Sequence, residues 1–411
     1  MSVGIEAMNL YAGSTRLDVR TLFEARGLDL DRFANLMMRG KSVALPWEDA
    51  VTHAANAAKP LIDRLPPSER DRIEMVITAT ESGLDFGKSL ATYVHAHLGL
   101  RRSCRLFEIK QACYGGTAAL QMAASWVASG VSPGAKALVI ATDAARPAIR
   151  LSYMEPSQGT GAVAMLVGDR PDVLALDLGA SGTCSYEVMD TFRPRPDEET
   201  GDADLSLLSY LECLVHAYRA YAERVEGTDL RTTFDHLAFH TPFGGMIRGA
   251  HRKLLRGEGA RGEEIERDFE RRVLPSMRFN VEIGNLYSAS LYAALAALVD
   301  GLAGSALPAR VGLFSYGSGC ASEFFSGTIP GRASEVIAPM RIGDALASRA
   351  PISMSQYERI LEATAALPFG TEDGEPDAQG LEALYEQTFA RRPLLRLRGI
   401  RRFHREYEWG R

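Results

Sequence analysis

The sequence predicts a duplicated α/β fold, on three observations. Short apolar runs alternate with helical stretches. Two helices that are apolar all round stand at corresponding places in the two halves. The chain, at 411 residues, is long enough for two ordinary domains or one large duplicated one. The strand candidates are 75–80 (MVITAT), 137–142 (ALVIAT), 162–167 (AVAMLV), 173–178 (VLALDL), 237–239 and 311–316 (VGLFSY). Each is nearly continuous in apolar residues and ends in small or polar ones, the pattern of a buried parallel sheet. The helices 117–129 and 289–299 are predicted to be central; 205–225 and the charge-rich 263–273 are amphipathic and predicted to be peripheral. Segment 370–380, rich in Gly, Asp and Glu, is expected to be a surface loop, and the basic, aromatic tail 391–411 shows no clear period.

The duplication is visible in the spacing. One half runs strand, Glu81, Cys113, apolar helix, strand; the other runs strand, His240, Asn285, apolar helix, strand. Cys113 precedes Thr142 by 29 residues and Asn285 precedes Ser315 by 30. The other leg differs, 32 residues from Glu81 to Cys113 against 45 from His240 to Asn285, which predicts an insertion containing segment 248–272. The halves are placed at 1–170, carrying Glu81 and Cys113, and 171–411, carrying His240 and Asn285.

Composition narrows the function. Hydrophobic residues at 46% and charged residues at 24% suit a globular protein with a substantial core. The net charge of −6 argues against non-specific nucleic-acid binding. No signal-like N-terminus and no run of eighteen apolar residues is present, so a cytoplasmic protein without membrane spans is expected. The five cysteines are scattered without CxxC spacing, which turns attention to a reactive thiolate rather than a metal or disulfide framework. No GxGxxG after a strand and no GxxxxGK[ST] suggests a nucleotide cofactor, and none is expected.

Ligands of parallel α/β sheets gather at the carboxyl ends of strands. Glu81, His240 and the loop Ser315–Gly319 each follow a predicted strand directly, and Cys113 lies between segment 107–110 and a helix. An isolated cysteine is most often a buried structural residue. Here Gln-Ala-Cys-Tyr-Gly-Gly-Thr places the thiol of Cys113 on a tight turn at a helix start, where amides and the macrodipole stabilise a thiolate and are expected to lower its pKa. Those amides also suit a thioester oxyanion, and Tyr114 and Gly115 join the substrate-binding set. His240 is the candidate to polarise a carbonyl or pass a proton, although a lone histidine at a strand end is commonly structural. No second ligand stands at metal spacing from it. Glu81, at an apolar strand end, is the candidate general base, or equally a turn cap beside Ser82. Asn285 is a candidate carbonyl donor or an ordinary turn residue. Tyr316, Ser318 and Gly319 supply a loop whose amides suit a thioester pocket.

Taken in order, several stretches resemble the 3-hydroxy-3-methylglutaryl-CoA synthase family. They are Glu81-Ser-Gly, Ala112-Cys-Tyr-Gly-Gly-Thr-Ala-Ala, Glu155-Pro-Ser-Gln-Gly-Thr-Gly-Ala-Val-Ala, Phe192-Arg-Pro, His240-Thr-Pro-Phe, Gly284-Asn-Leu-Tyr-Ser-Ala-Ser-Leu-Tyr and Phe314-Ser-Tyr-Gly-Ser-Gly. The resemblance covers nearly the whole chain. It implies a thiolase-like duplicated αβαβα five-layer fold, usually a homodimer. It also implies that Cys113 takes an acetyl group, Glu81 removes a methyl proton, and the carbanion attacks the ketone of a β-ketoacyl thioester with His240 assisting. Water then frees the product, leaving a carboxymethyl branch on a tertiary alcohol.

One departure refines this. Mevalonate-pathway members generally carry a lysine two or three residues after His-x-Pro-aromatic, where it helps hold CoA. Here Gly244 and Gly245 stand there, followed by Arg248, Arg252 and Lys253. The sequence is therefore closer to the β-branching synthases of polyketide assembly, whose acetyl donor and β-ketoacyl acceptor ride on acyl carrier proteins. Those three cations are candidates to meet a pantetheine phosphate or an acidic carrier helix, or else form a solvated helix face. Three alternatives stay open: the mevalonate enzyme using acetyl-CoA and acetoacetyl-CoA, a decarboxylating ketoacyl carrier-protein synthase, and a non-catalytic scaffold.

Overall fold

The computed structural model describes residues 2–144, 152–302, 307–390 and 392–410. Nine strands form the main sheet. Five of them lie in the order Gly4–Tyr11, Thr160–Gly168, Lys136–Ala144, Ile73–Ala79, Arg105–Ile109. The other four lie in the order Leu174–Ser185, Ala321–Ile329, Ala309–Gly317, His236–Phe239. The two sets join only where Gly4 and Ile5 pair with Ala175 and Leu174.

The two sets repeat one pattern. In the first, Ile73–Ala79 runs parallel to Lys136–Ala144, which is followed inward by antiparallel Thr160–Gly168 and Gly4–Tyr11. In the second, His236–Phe239 runs parallel to Ala309–Gly317, followed by antiparallel Ala321–Ile329 and Leu174–Ser185. The sheet is thus mixed, which corrects the all-parallel expectation for segments 162–167 and 173–178. A continuous apolar run reports burial on both faces, not strand direction. Thr160–Gly168 is buried on both faces like its parallel neighbours, whereas Leu174–Ser185 leaves one face partly open, with Leu178 exposed.

Alternation along the strands builds the layers. Ile77, Ala79, Val139 and Ala141 face one core, while Val76, Leu138 and Ile140 face another. In the second set, Val311 and Leu313 join the first core and Phe314 and Tyr316 a third. The shared core is filled by the helices Gly115–Ala128 and Ser290–Gly301, both apolar enough to be buried between sheets. Ala50–Arg64 and Leu90–Leu98 cover one outer face; Ala203–Arg224 and Gly244–Gly257 cover the other. That is the five-layer, thiolase-like arrangement. The first central helix closely meets the turn that leads into the second: a Cβ on Gly116 would lie 2.4 Å from the carbonyl oxygen of Ser288, so only glycine fits there.

Several elements carry no sequence forecast above. Ala50–Arg64 begins with a reciprocal cap between Asp49 and Thr52. The tail folds as a hairpin, Leu395–Arg401 with His404–Trp409, pinned to that helix by Asn56 on both backbone groups of Leu395 and by Arg405 and Tyr407 on Asp49. Its ends, 391 and 411, lie outside the described residues. The forecast helix 263–273 splits into Glu263–Asp268 and a π-turn, Phe269–Val273, which buries Arg272 completely. Segment 370–380 is a loop of turns, as expected. No helix among the described residues is long and apolar enough to cross a membrane.

Candidate active site

Strand ends deliver the site. Glu81 lies just beyond Ile73–Ala79, His240 just beyond His236–Phe239, and Asp143 and Tyr316 near the ends of Lys136–Ala144 and Ala309–Gly317. Cys113 sits on the turn between Arg105–Ile109 and the helix Gly115–Ala128. The turn is tight. Ala112 adopts φ 42°, a left-handed conformation that costs a non-glycine residue roughly 1–2 kcal/mol. It is held by Tyr114 N–H on Gln111 O (3.1 Å) and Gly115 N–H on Ala112 O (3.2 Å). Gly317 backs it so closely that a Cβ would lie 2.5 Å from both Gln111 O and Tyr114 N.

A cavity of about 120 Å³ has Glu81, Cys113, His240, Asn285, Tyr316 and Ser318 in its wall. The Cys113 thiol donates to Glu81 Oε1 at 3.4 Å. Arg193 Nε donates to the other Glu81 oxygen at 3.2 Å, and Arg193 Nη2 to Glu199 Oε2 at 3.0 Å. Glu199 also accepts from Gln158 Nε2 (3.2 Å) and the Tyr287 hydroxyl (3.0 Å). Behind Glu81, Asp143 Oδ1 accepts from Glu81 N–H (2.9 Å), Ser82 N–H (3.1 Å) and the Thr80 hydroxyl (2.9 Å). Its Oδ2 accepts from the Ser288 hydroxyl at 2.7 Å, which ties the first half to the turn before the second central helix.

These surroundings set the proton affinities. Burial pushes the Glu81 carboxyl up to about 7; Arg193 opposes that, while Asp143 and Glu199 reinforce it. Burial and the Glu81 carboxylate push the Cys113 thiol well above its usual range. This corrects the expectation of a lowered pKa. The N–H groups of Tyr114 and Gly115 are taken up by the turn itself, and the desolvated, anionic cluster decides the thiol's proton affinity. Burial alone lowers His240 to about 3, so its imidazole is neutral at physiological pH. Its main chain is fixed by N–H on Phe314 O (2.8 Å) and by the Tyr210 hydroxyl on its carbonyl (2.7 Å), while Nδ1 is buried without a partner.

The remaining forecast residues divide. Asn285, Tyr316 and Ser318 line the cavity. The Oδ1 of Asn285 accepts from Tyr287 N–H (2.9 Å) and the Ser290 hydroxyl (2.8 Å), leaving its amide nitrogen as the group for a ligand. Tyr114, Gly115 and Gly319 do not line it. The Tyr114 hydroxyl donates to Glu323 Oε2 at 2.8 Å, Gly115 begins the helix, and Gly319 N–H is held at 2.9 Å by Asp190, which also accepts from Tyr316. They support the walls rather than face a ligand. Arg248 and Arg252, on Gly244–Gly257, both grip Glu266 (2.6 and 2.9 Å), and Lys253 is exposed on the same helix.

Asp143, Arg193, Glu199 and Tyr287 were missed as site residues. Arg193 lay within Phe192-Arg-Pro and Asp143 follows segment 137–142, signals that name a place but no partner. Among the described residues, no group of three His, Cys, Asp or Glu is placed to hold a metal.

The geometry agrees with what the chain resembles as a whole. Family models described as hydroxymethylglutaryl-coenzyme A synthase N terminal and C terminal match residues 1–172 and 263–389. The polyketide biosynthesis 3-hydroxy-3-methylglutaryl-ACP synthase PksG of Bacillus subtilis (strain 168) is 48% identical over 419 residues, covering 100% of this chain and 99% of that one. The HMG synthase of the curacin biosynthetic pathway, solved in complex with acetyl donor-ACP, is 51% identical with a TM-score of 0.96, covering 100% of both chains. The hydroxymethylglutaryl-CoA synthase of Enterococcus faecalis is 33% identical over 372 residues, covering 89% of this chain and 92% of that one. The chain belongs to the hydroxymethylglutaryl-CoA synthase family, acyltransferases that form a carbon–carbon bond.

Proposed function

We propose that this enzyme adds an acetyl group from a carrier-protein thioester to the ketone of a β-ketoacyl carrier-protein thioester, through acetyl-Cys113, as a β-branching synthase of polyketide biosynthesis. The observation that carries the reading is the grouping of Cys113, Glu81 and His240 on one cavity, in a chain about half identical end to end with PksG and the curacin synthase.

Each group has a task that its surroundings suit. At rest the thiol of Cys113 is protonated and hydrogen-bonded to Glu81. On acylation its proton passes to Glu81 as sulfur attacks the acetyl carbonyl, and Glu81 then protonates the departing pantetheine thiolate. Glu81, poised near neutrality, next removes a methyl proton from acetyl-Cys113. The carbanion attacks the acceptor ketone, polarised by neutral His240, and Glu81 returns the proton to the new alkoxide. Water hydrolyses the remaining Cys113 thioester. Asn285 Nδ2 and the Ser318 region orient the acyl groups.

Arg248, Arg252 and Lys253 are assigned to the carrier protein. Arg248 and Arg252 are held by a surface carboxylate, and exposed pairs of that kind exchange partners at little cost. We place the join of the halves between 170 and 171, at the turn after Thr160–Gly168, and take the functional unit as a cytoplasmic homodimer.

The test compares donors. Intact mass after incubation with acetyl-carrier protein or acetyl-CoA is expected to show Cys113 acetylated much faster from the carrier. Equal rates would assign the enzyme to free CoA substrates instead.

A further inference from the structure

A second cavity, larger than the catalytic one, lies directly behind it. Its volume is about 320 Å³ against about 120 Å³. Sites that hold small organic ligands span roughly 300–1,000 Å³. The larger cavity falls within that range and the catalytic one below it.

The two cavities are neighbours through named side chains. Gln158 stands in both walls. Arg193, which holds Glu81 and Glu199 on the catalytic side, is in the wall of the larger cavity. A single layer of side chains therefore separates Glu81 from the second space. Beyond it the wall mixes apolar side chains, Leu361, Leu367, Phe369 and Leu397, with charged ones, Lys41, Glu48, Asp49, Asp197 and Arg405. Two residues of that wall also carry buried oxygens without a hydrogen-bond partner, Gln158 Oε1 and Thr364 Oγ1. Buried oxygens of this kind are normally satisfied, and a partner carrying N–H or O–H groups would do so.

Condensation at a ketone needs somewhere for the rest of the acceptor. The carbonyl carbon must reach acetyl-Cys113 and Glu81, one arm of the acceptor leads back to pantetheine, and the other continues as its acyl chain. A 120 Å³ space already holding an acetyl group and two reacting carbons has little room for that second arm. We propose that the larger cavity receives the acceptor's acyl chain beyond the reacting carbonyl, entering beside Gln158, with Thr364 and Gln158 meeting hydroxyl or amide groups of a mixed-polarity chain. The proposal rests on the condensation reading above and names the substrate class of that same site.

The experiment separates the two. Ala44 and Thr364 line the larger cavity and belong to no catalytic contact described above. Ala44→Phe and Thr364→Trp are made separately, and each is first checked for acetylation of Cys113 by acetyl-carrier protein. Failure of the parent enzyme at that step sinks the condensation reading and leaves the cavity test standing, because the cavity is then probed by binding alone. Pantetheine amides of acetoacetate and of a 3-oxo-decanoyl chain are titrated against parent and variants by calorimetry. The parent is expected to prefer the long chain. Each variant is expected to lose about tenfold or more on the long amide, the scale of a methylene-sized misfit or worse, and less than about twofold on the short one. Equal affinity of the parent for both amides, or equal losses on both in the variants, would overturn the assignment.

Discussion

Replacing Arg193 by Gln tests whether the ion pair on Glu81 sets the working pH of the enzyme. The guanidinium is the leading influence that holds the Glu81 carboxyl down against burial and against Asp143 and Glu199. A cation at this range depresses a carboxyl by ~1–3 pH units, at about 1.4 kcal/mol for each. Glu81 sits near 7 with Arg193 in place. Removing the cation therefore moves the acid limb of the rate profile upward by ~1–3 pH units, and the rate at pH 7 falls roughly 5- to 500-fold. The assay is single-turnover condensation from preformed acetyl-Cys113 across pH 5.5–10, so that acylation does not mask the step. Recovery toward the parental plateau at high pH is the expected signature. A uniform loss at every pH, with the limb unmoved, would show that Arg193 acts by position and not by charge.

Other consequences are as direct. Iodoacetamide should alkylate Cys113 slowly near pH 7 and faster only toward alkaline pH, with Glu81→Gln accelerating the reaction at pH 8; a reactive plateau already at pH 6.5 would contradict the raised thiol pKa. Glu81→Gln should also melt higher at pH 8, by about 3 kcal/mol of stability. Because the folded carboxyl is raised from 4.5 to about 7, its contribution is fully present below 4.5 and lost as pH rises through 7, so the advantage should vanish near pH 4.5. Arg272→Ala should cost about 3–5 kcal/mol in denaturant melts, since it takes from Asp268 its buried cationic partner, leaving His251 and Arg271, and strands the carbonyls of Leu230 and Phe234 that the guanidinium serves; a loss under 1 kcal/mol would refute it. Glu266→Gln should tighten donor-carrier binding in calorimetry by freeing Arg248 and Arg252, and no change would remove both from the interface.

What the sequence displays is what one stretch can encode by itself. Strand runs such as 137–142 are continuous in apolar residues because both faces are covered, and Cys113 stands out because glycines and an apolar helix follow it. Strand direction is not encoded that way, so the antiparallel Thr160–Gly168 looks like its parallel neighbours. The strand Ala321–Ile329, with Ser322, Glu323 and Ser326 buried inside it, hides its role because polar residues break the run. Pairings are harder still. Arg193 and Glu81 are 112 residues apart, and Asp143 and Ser288 are 145 apart. Only the fold brings them together, so a carboxyl that looked like a plausible base could be given a candidate role but not its surroundings.

Those surroundings alter how the nucleophile must work. A thiol at a helix start suggests a preformed thiolate, yet Cys113 faces Glu81, with Asp143 and Glu199 close enough to matter and Arg193 as the cation joining Glu81 to Glu199. In so anionic a cluster, a permanent thiolate would add one more negative charge beside Glu81. Keeping the proton on sulfur, hydrogen-bonded to a base near neutrality, avoids that cost until an acyl group arrives to absorb the charge. The same carboxyl is then free to take the methyl proton once the thioester has formed, because acetylation removes the thiol's proton from the site. The order of events is thus written into the charge balance: acylation must precede deprotonation at carbon, since before it Glu81 is engaged by the thiol.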